Sequence, residues 1–305
     1  MSLRARILNR WLRMVEKPRI RRTDHPAPLR RAFELQAKLF FHPPRGTTQR
    51  WLELGSRAAL EVTPKRLEAS KKVLFFVHGG GFTFGSPRTH SAMVAQLASR
   101  VRARGLLPSY GLAPEQPFPA APDDVRAAWD GLIGQGVAPN DVIIGGDSAG
   151  GALAFGLLAQ LCDEKAEMPA GLFGFSPLTD MTHAGPSFTQ NAKADVVLVA
   201  EKAADMNRMF LGTHSPKDPR ISPLFGDFEG APPVWITVGD TEILLDDARS
   251  FAKLCEAQGV TTTLVERQDL PHVWPFFHNV LPEARETLDQ LAGWIKQLPG
   301  WQDES

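Results

Sequence analysis

The chain has 305 residues, 43% of them hydrophobic and 22% charged, which is ample for a large α/β core. Its 34 basic and 34 acidic side chains balance, so no overall field draws it to nucleic acid, and a small neutral ligand suits it better. Only Cys162 and Cys255 occur, which excludes a disulfide framework and fits buried thiols in a reducing compartment; no apolar run is long enough to span a bilayer.

The opening residues interleave arginines with apolar side chains, unlike a signal-peptide core, so the expected location is the cytoplasm, without stable membrane insertion. From Leu3 to about Arg22, Leu8, Trp11, Leu12 and Val15 recur at helical spacing against Arg4, Arg6, Arg10, Arg13 and Lys17. This predicts a basic amphipathic helix laid over the protein's own body, with a membrane-surface anchor as the lesser reading. A second helix is expected from about Pro28 to Phe40, ended by His42-Pro43-Pro44. Short segments at Arg50 to Leu54 and Arg57 to Val62, broken by Gly55 and Pro64, read as antiparallel edge strands.

A fully buried strand follows at Lys72 to Val77 and runs into His78-Gly79-Gly80-Gly81-Phe82-Thr83-Phe84-Gly85-Ser86, then a helix from about Thr89 to Arg102. A phosphate cradle is disfavoured there: no Gly-Lys-Ser/Thr is present, and Phe84 stands where Gly-x-Gly-x-x-Gly needs its third glycine. Leu106 to Tyr110 reads as a strand, prolines 114, 117 and 119 forbid regular structure, and a helix from about Pro122 to Ile133 leads to a strand at Asp141 to Gly145. Beyond the next helix come a strand at Gly171 to Ser176 and a long excursion, Pro177 to Phe228, with helical material near Glu201 to Leu211. Such excursions are usually lids or binding loops. Strand Val234 to Val238, helix Leu245 to Gln258, strand Thr261 to Glu266 and helix Pro282 to Leu298 complete an alternation that predicts a mostly parallel sheet covered on both faces.

The chemistry centres on Ile143-Ile144-Gly145-Gly146-Asp147-Ser148-Ala149-Gly150-Gly151, a strand end, a glycine-flanked serine and a helix start. In a nucleophile elbow the serine sits on a strained strand-to-helix turn, so the residues two before and two after must be tiny, as Gly146 and Gly150 are. A serine hydroxyl is a weak nucleophile and needs a base, a group to orient the base, and donors for the oxyanion. Among eight histidines, His272 lies just beyond the last strand, on the sheet edge that carries Ser148, and is the candidate base. The acid should follow Val234 to Val238; Asp240 and Glu242 are nearly tied there, while Asp246 and Asp247 fit the first helical turn, complementing its dipole. Gly80, Gly81 and Ala149 offer unobstructed amides for the oxyanion, and His78 is expected to brace the glycine loop. Asp147 reads as a hydrogen-bonding support beside the serine.

With His78-Gly79-Gly80-Gly81-Phe82, Tyr110-Gly111-Leu112-Ala113-Pro114-Glu115, Gly146-Asp147-Ser148-Ala149-Gly150 and Pro271-His272-Val273 in this order, the chain resembles the hormone-sensitive-lipase-like family of α/β-hydrolases from about Leu74 onward. It is more specifically similar to a bacterial branch often labelled esterases or monoterpene ε-lactone hydrolases. The resemblance implies the α/β-hydrolase fold and a helical cap made of residues from about 1 to 46 and about 181 to 215, over a catalytic domain spanning 47 to 305. Matching the family's Asp-Pro-Leu-x-Asp-Glu to Leu244, Asp246 and Asp247 puts Glu242 at the acid position, though Asp-Pro itself is not kept.

The expectation is a serine carboxylesterase acting on short to medium-chain esters through Ser148, His272 and Glu242, with no metal or organic cofactor. Phe82, Phe84, Met206, Met209, Phe210 and Trp274 are candidate pocket walls, although such residues are as often plain core. A lactone hydrolase or amidase, or a ligand-binding member that lost catalysis, is the alternative. The partner is a small ester; a homodimer is compatible with the sequence.

Overall fold

The computed structural model describes residues 1–302 except Arg66, Glu68 and Ala69. Eight strands form one sheet in the order β1-β2-β4-β3-β5-β6-β7-β8: β1 (Thr48–Leu54), β2 (Arg57–Thr63), β3 (Val73–Val77), β4 (Arg104–Pro108), β5 (Val142–Asp147), β6 (Gly171–Phe175), β7 (Val234–Gly239) and β8 (Thr262–Arg267). The β1/β2 hairpin and the β2/β4 pair are antiparallel, and every pair from β4 to β8 is parallel. Every residue of β3, β5, β6 and β7 is buried, which is why these strands read as unbroken apolar or small-residue runs instead of alternating ones.

The helices are α1 (Leu3–Trp11), α2 (Lys17–Arg22), α3 (Pro26–Phe40), α4 (Pro87–Val101), α5 (Ala120–Gly134), α6 (Ser148–Asp163), α7 (Ser187–Gln190), α8 (Ala203–Leu211), α9 (Leu245–Ala257) and α10 (Pro282–Ile295). One face of the sheet packs on α5, α6 and α9 through Trp129, Phe155 and Phe251, and the other on α4 and α10 through Leu97 and Leu291. Burying each of these side chains contributes about 2 kcal/mol. This two-sided cover is the layered arrangement expected from the sequence. Both cysteines are buried free thiols.

The expected first helix departs from regularity. Between α1 and α2, residues Leu12–Glu16 form a wide turn in which the Lys17 N–H reaches the Leu12 carbonyl, five residues back. Pro18 explains it: proline has no N–H, and its ring would collide with the carbonyl four residues before it in a regular turn. The buried face also differs from the expected one. Ala5 and Leu12 point inward, Leu8 is half-buried, and Trp11 and Val15 face solvent. Ala5 and Leu8 rest on Leu270, Trp274, Leu281 and Ala284.

Between β6 and β7 the chain makes the expected excursion. It includes α7, a single turn not foreseen, and α8, which starts two residues later than predicted because residues Ala200–Lys202 form a tighter turn. The excursion is tied to the N-terminal segment: Lys17 Nζ donates to the carbonyls of Ala192 and Asp195 at 2.7 and 2.6 Å, Arg13 donates to that of Ala194, and Arg21–Glu201 and Lys202–Asp24 form ion pairs. Among the described residues no helix is long and apolar enough to cross a membrane.

Candidate active site

Parallel strands deliver their loops to one edge of the sheet, and the glycine loop, Ser148, Glu242 and His272 follow β3, β5, β7 and β8 there. Ser148 follows β5 directly and opens α6 with φ of +52°, a left-handed conformation rare for a side chain larger than glycine. The elbow leaves no room beside it. A Cβ on Gly146 would stand 2.4 Å from the Gly150 carbonyl oxygen, and one on Gly150 would stand 2.2 Å from that of Val77.

His272 and Glu242 form one unit. The imidazole Nδ1–H donates to Glu242 Oε2 at 2.6 Å, so Nε2 is the nitrogen left to act as a base. The other carboxylate oxygen accepts from the Gly239 N–H at 2.6 Å and the Ser176 hydroxyl at 2.8 Å. Both residues are buried. Burial by itself would push the imidazole pKa down, but the Glu242 charge and hydrogen bond outweigh it, with help from Asp195 and Asp147, and hold it above 6.5. Asp240 turns elsewhere: its Oδ1 accepts the Asp269 N–H at 2.8 Å and so steadies the loop leading to His272.

Asp246 and Asp247 do more than face the N-terminus of α9. Asp247 is buried, accepts the amides of Thr179 and Asp180 at 2.8 and 2.9 Å, and has its pKa pushed up to about 7 by desolvation against those hydrogen bonds. Asp246 accepts the Ser187 amide. Both carboxylates lie in the first turn of α9, as expected, and in addition anchor the excursion to that helix.

The glycine loop turns back on itself at Gly80 and Gly81, with φ of +116° and +56°. A Cβ on Gly80 would lie 2.1 Å from the Phe84 carbonyl oxygen, so the turn excludes any side chain. Among the described residues no acceptor takes the amides of Gly80 or Gly81, which are free to bind an oxyanion. Asp147 supports this loop by accepting the Gly79 amide at 2.9 Å. Desolvation lowers the His78 pKa to about 3, so the ring is neutral; its Nδ1 bonds the Gly79 carbonyl and it stacks on Tyr110, whose hydroxyl donates to the His78 carbonyl at 2.6 Å. From α3, Arg30 clamps the loop's far side, donating to the carbonyls of Thr83 and Ala113 and forming a two-point contact with Glu115.

The expected pocket residues divide. Met206 stands over Gly81, close enough that a Cβ there would meet its methyl at 2.6 Å, and Phe84 and Met209 are half-buried. Phe82 and Phe210 are fully buried and stack at 3.9 Å, holding the glycine loop to α8. Trp274 is a correction: it has no exposed surface, donates from Nε1 to Thr287 Oγ1 and lies under α1, so it is core and not pocket wall.

Three residues were missed. Ser176, with φ of +47°, bridges Glu242 to the His272 loop by accepting the Val273 amide at 3.1 Å; its signal was a serine at a buried strand end. Asn191 donates to the carbonyls of Asp240 and Glu242, and buried Asp195 accepts the Ile243 amide at 3.0 Å. Both lie in the excursion, where no local pattern marks them.

Chemically, one sheet edge carries a strained serine, an imidazole held in one tautomer by a buried carboxylate, and a glycine loop with unpaired amides among the described residues. Comparison with known proteins agrees in kind. Residues 74–276 match the α/β hydrolase fold family. An esterase of Acinetobacter venetianus is 34% identical over 275 residues, covering 90% of this chain and 89% of that protein. An acetyl-hydrolase of Streptomyces hygroscopicus is 35% identical over 250 residues, covering 81% and 82%. The crystal structure of an esterase from the bacterial hormone-sensitive lipase family superposes with a TM-score of 0.90 at 32% identity, covering 96% of this chain and 97% of that one. The chain belongs to the α/β-hydrolase family, in its hormone-sensitive-lipase-like branch, and is a carboxylic ester hydrolase.

Proposed function

We propose that the protein is a serine carboxylesterase for short to medium-chain acyl esters, working through Ser148, His272 and Glu242. The observation that carries this reading is the 2.6 Å bond from His272 to buried Glu242 on the sheet edge where Ser148 sits at φ of +52°. His272 Nε2 takes the proton of Ser148 as Oγ attacks the ester carbonyl, and Glu242 balances the imidazolium that forms. The amides of Gly80, Gly81 and Ala149 hold the oxyanion. When the tetrahedral adduct collapses, His272 passes its proton to the leaving alcohol; water, deprotonated by the same nitrogen, then attacks the acyl-enzyme and releases the acid.

The chain-length reading rests on Met206 over Gly81 and on the joined N-terminal segment and excursion, which we read as a cap over the site. The two buried free thiols support a cytoplasmic location. The test is hydrolysis of nitrophenyl esters of graded chain length by the wild type and Ser148→Ala. Turnover should peak at short to medium chains and fall by about 10⁶-fold in the variant. Undiminished turnover in Ser148→Ala would remove the serine from the mechanism, and an inactive wild type would favour a binding protein.

A further inference from the structure

Twelve large apolar side chains are exposed among the described residues, and nine of them fall within the first 40. On α1 and the wide turn after it, Leu3, Ile7, Trp11 and Met14 are 42–69% exposed. Their spacing of four, four and three residues places them on one stripe, opposite the Ala5 and Leu12 that pack inward. The N-terminal helices therefore carry a second apolar face that the protein's own body does not cover.

Helix α3 lies beside this segment. Gln36 donates to Glu16, His42 bonds Asn279, and Arg4 donates to the neighbouring Val280 carbonyl, so the two segments run side by side in opposite directions. Leu35, Leu39 and Phe40 of α3 are 57–58% exposed.

Charge decides the occupant. The first 46 residues hold twelve of the chain's 34 basic side chains and three of its 34 acidic ones, a local net charge of +9 on a chain whose total is zero. On a helical projection Arg6, Arg10 and Arg13 border the α1 stripe on one side and Arg4 borders it on the other. Arg6, Arg10, Arg31 and Lys38 are exposed and have no carboxylate within ion-pair distance among the described residues. A second copy of the chain docking through the same face would set Arg6, Arg10, Arg31 and Lys38, with no carboxylate partner among the described residues, against their own copies, which disfavours a symmetric dimer there. An anionic lipid surface satisfies both features: acyl chains receive Leu3, Ile7, Trp11 and Met14, and headgroup phosphates receive the flanking guanidinium groups.

We propose that this face docks the protein peripherally, without spanning, on anionic lipid surfaces. The helix packs on the body with its inner side, as expected, and the proposal assigns the surface reading to its outer one.

The experiment is co-sedimentation of the full chain with phosphatidylcholine vesicles, with and without phosphatidylglycerol. The expected result is binding only when phosphatidylglycerol is present, abolished by high salt. Arg6→Gln with Arg10→Gln should weaken it about 30-fold, the usual strength of two basic side chains at an anionic leaflet, and Ile7→Ser with Trp11→Ser and Met14→Ser should abolish it. Unchanged hydrolysis of a soluble short ester by both variants confirms that they fold. Absence of binding at low salt overturns the proposal, as does binding that survives both sets of substitutions. A solution dimer broken by the serine variant, with no vesicle binding, would assign the face to a second copy.

Discussion

The two halves of the site are held by different means. Ser148 and the glycine loop are locked by backbone sterics: no side chain fits at Gly80 or Gly146, each closed off by a carbonyl four residues on, nor at Gly150, which lies against the Val77 carbonyl at the end of β3. Glu242 and His272 are held at long range, by Ser176 from β6, by Asn191 and Asp195 from the excursion, and by Lys17 from the N-terminal segment behind them. A site half built by sterics is carried wherever its short motif goes, whereas a half built by tethers depends on distant segments staying docked.

The sharpest way to separate the halves is at the acid. Glu242→Gln should lower kcat by about 10⁴-fold, the size of loss typical when the carboxylate orienting a catalytic histidine is neutralised. Asp240→Asn, at a carboxylate that accepts the Asp269 amide and not the His272 imidazole, should cost less than about tenfold. Steady-state kinetics of the pair decides, and a reversed ranking would move the acid to Asp240. On the steric side, Gly80→Ala should lose about 10²- to 10³-fold in kcat with a smaller change in KM, since the added methyl displaces one oxyanion donor. Equal losses in kcat from an alanine at an exposed loop glycine such as Gly230 would erase the distinction.

The tethers also set the pH response. The proposed base, His272, works only when neutral, and its surroundings hold its pKa above 6.5, so kcat/KM should rise with pH along a limb centred above that value. Asp195 contributes to holding the pKa up, so Asp195→Asn should shift the limb to lower pH while reducing kcat only a few-fold. A limb that stays put would show that Asp195 acts through packing alone. The smallest effect is expected at Lys17→Met, which removes two hydrogen bonds from a buried cation; it should destabilise the fold by about 2 kcal/mol, read as a lower denaturant midpoint at unchanged slope.

This division also explains what the sequence made legible. Strands β3, β5, β6 and β7 are buried throughout, and the turns at Gly80 and Gly146 are closed by carbonyls four residues on, so both could be read along the chain. Asp240 and Glu242 looked alike because only tertiary partners tell them apart: one turns to Asp269, the other to His272. Trp274 and Phe210 looked like pocket walls because an aromatic near a site and an aromatic in the core share one pattern. The basic helix misled about Trp11 and Val15 because its contact with the body is narrow, and apolar residues lie on both of its sides.

The wide turn before Pro18 has a consequence for phase. Ala5 and Leu12 share a face because seven residues make nearly two turns, but five more residues would overshoot a full turn of regular helix by about 140°. The wide turn absorbs most of that overshoot and brings the Lys17 ammonium round to the inner side, where it reaches the carbonyls of Ala192 and Asp195. It acts as a one-residue spacer between a segment that presents its greasy side outward and a cation that must point inward. Regularising the helix there without removing a residue would swing Lys17 out of register with its two acceptors.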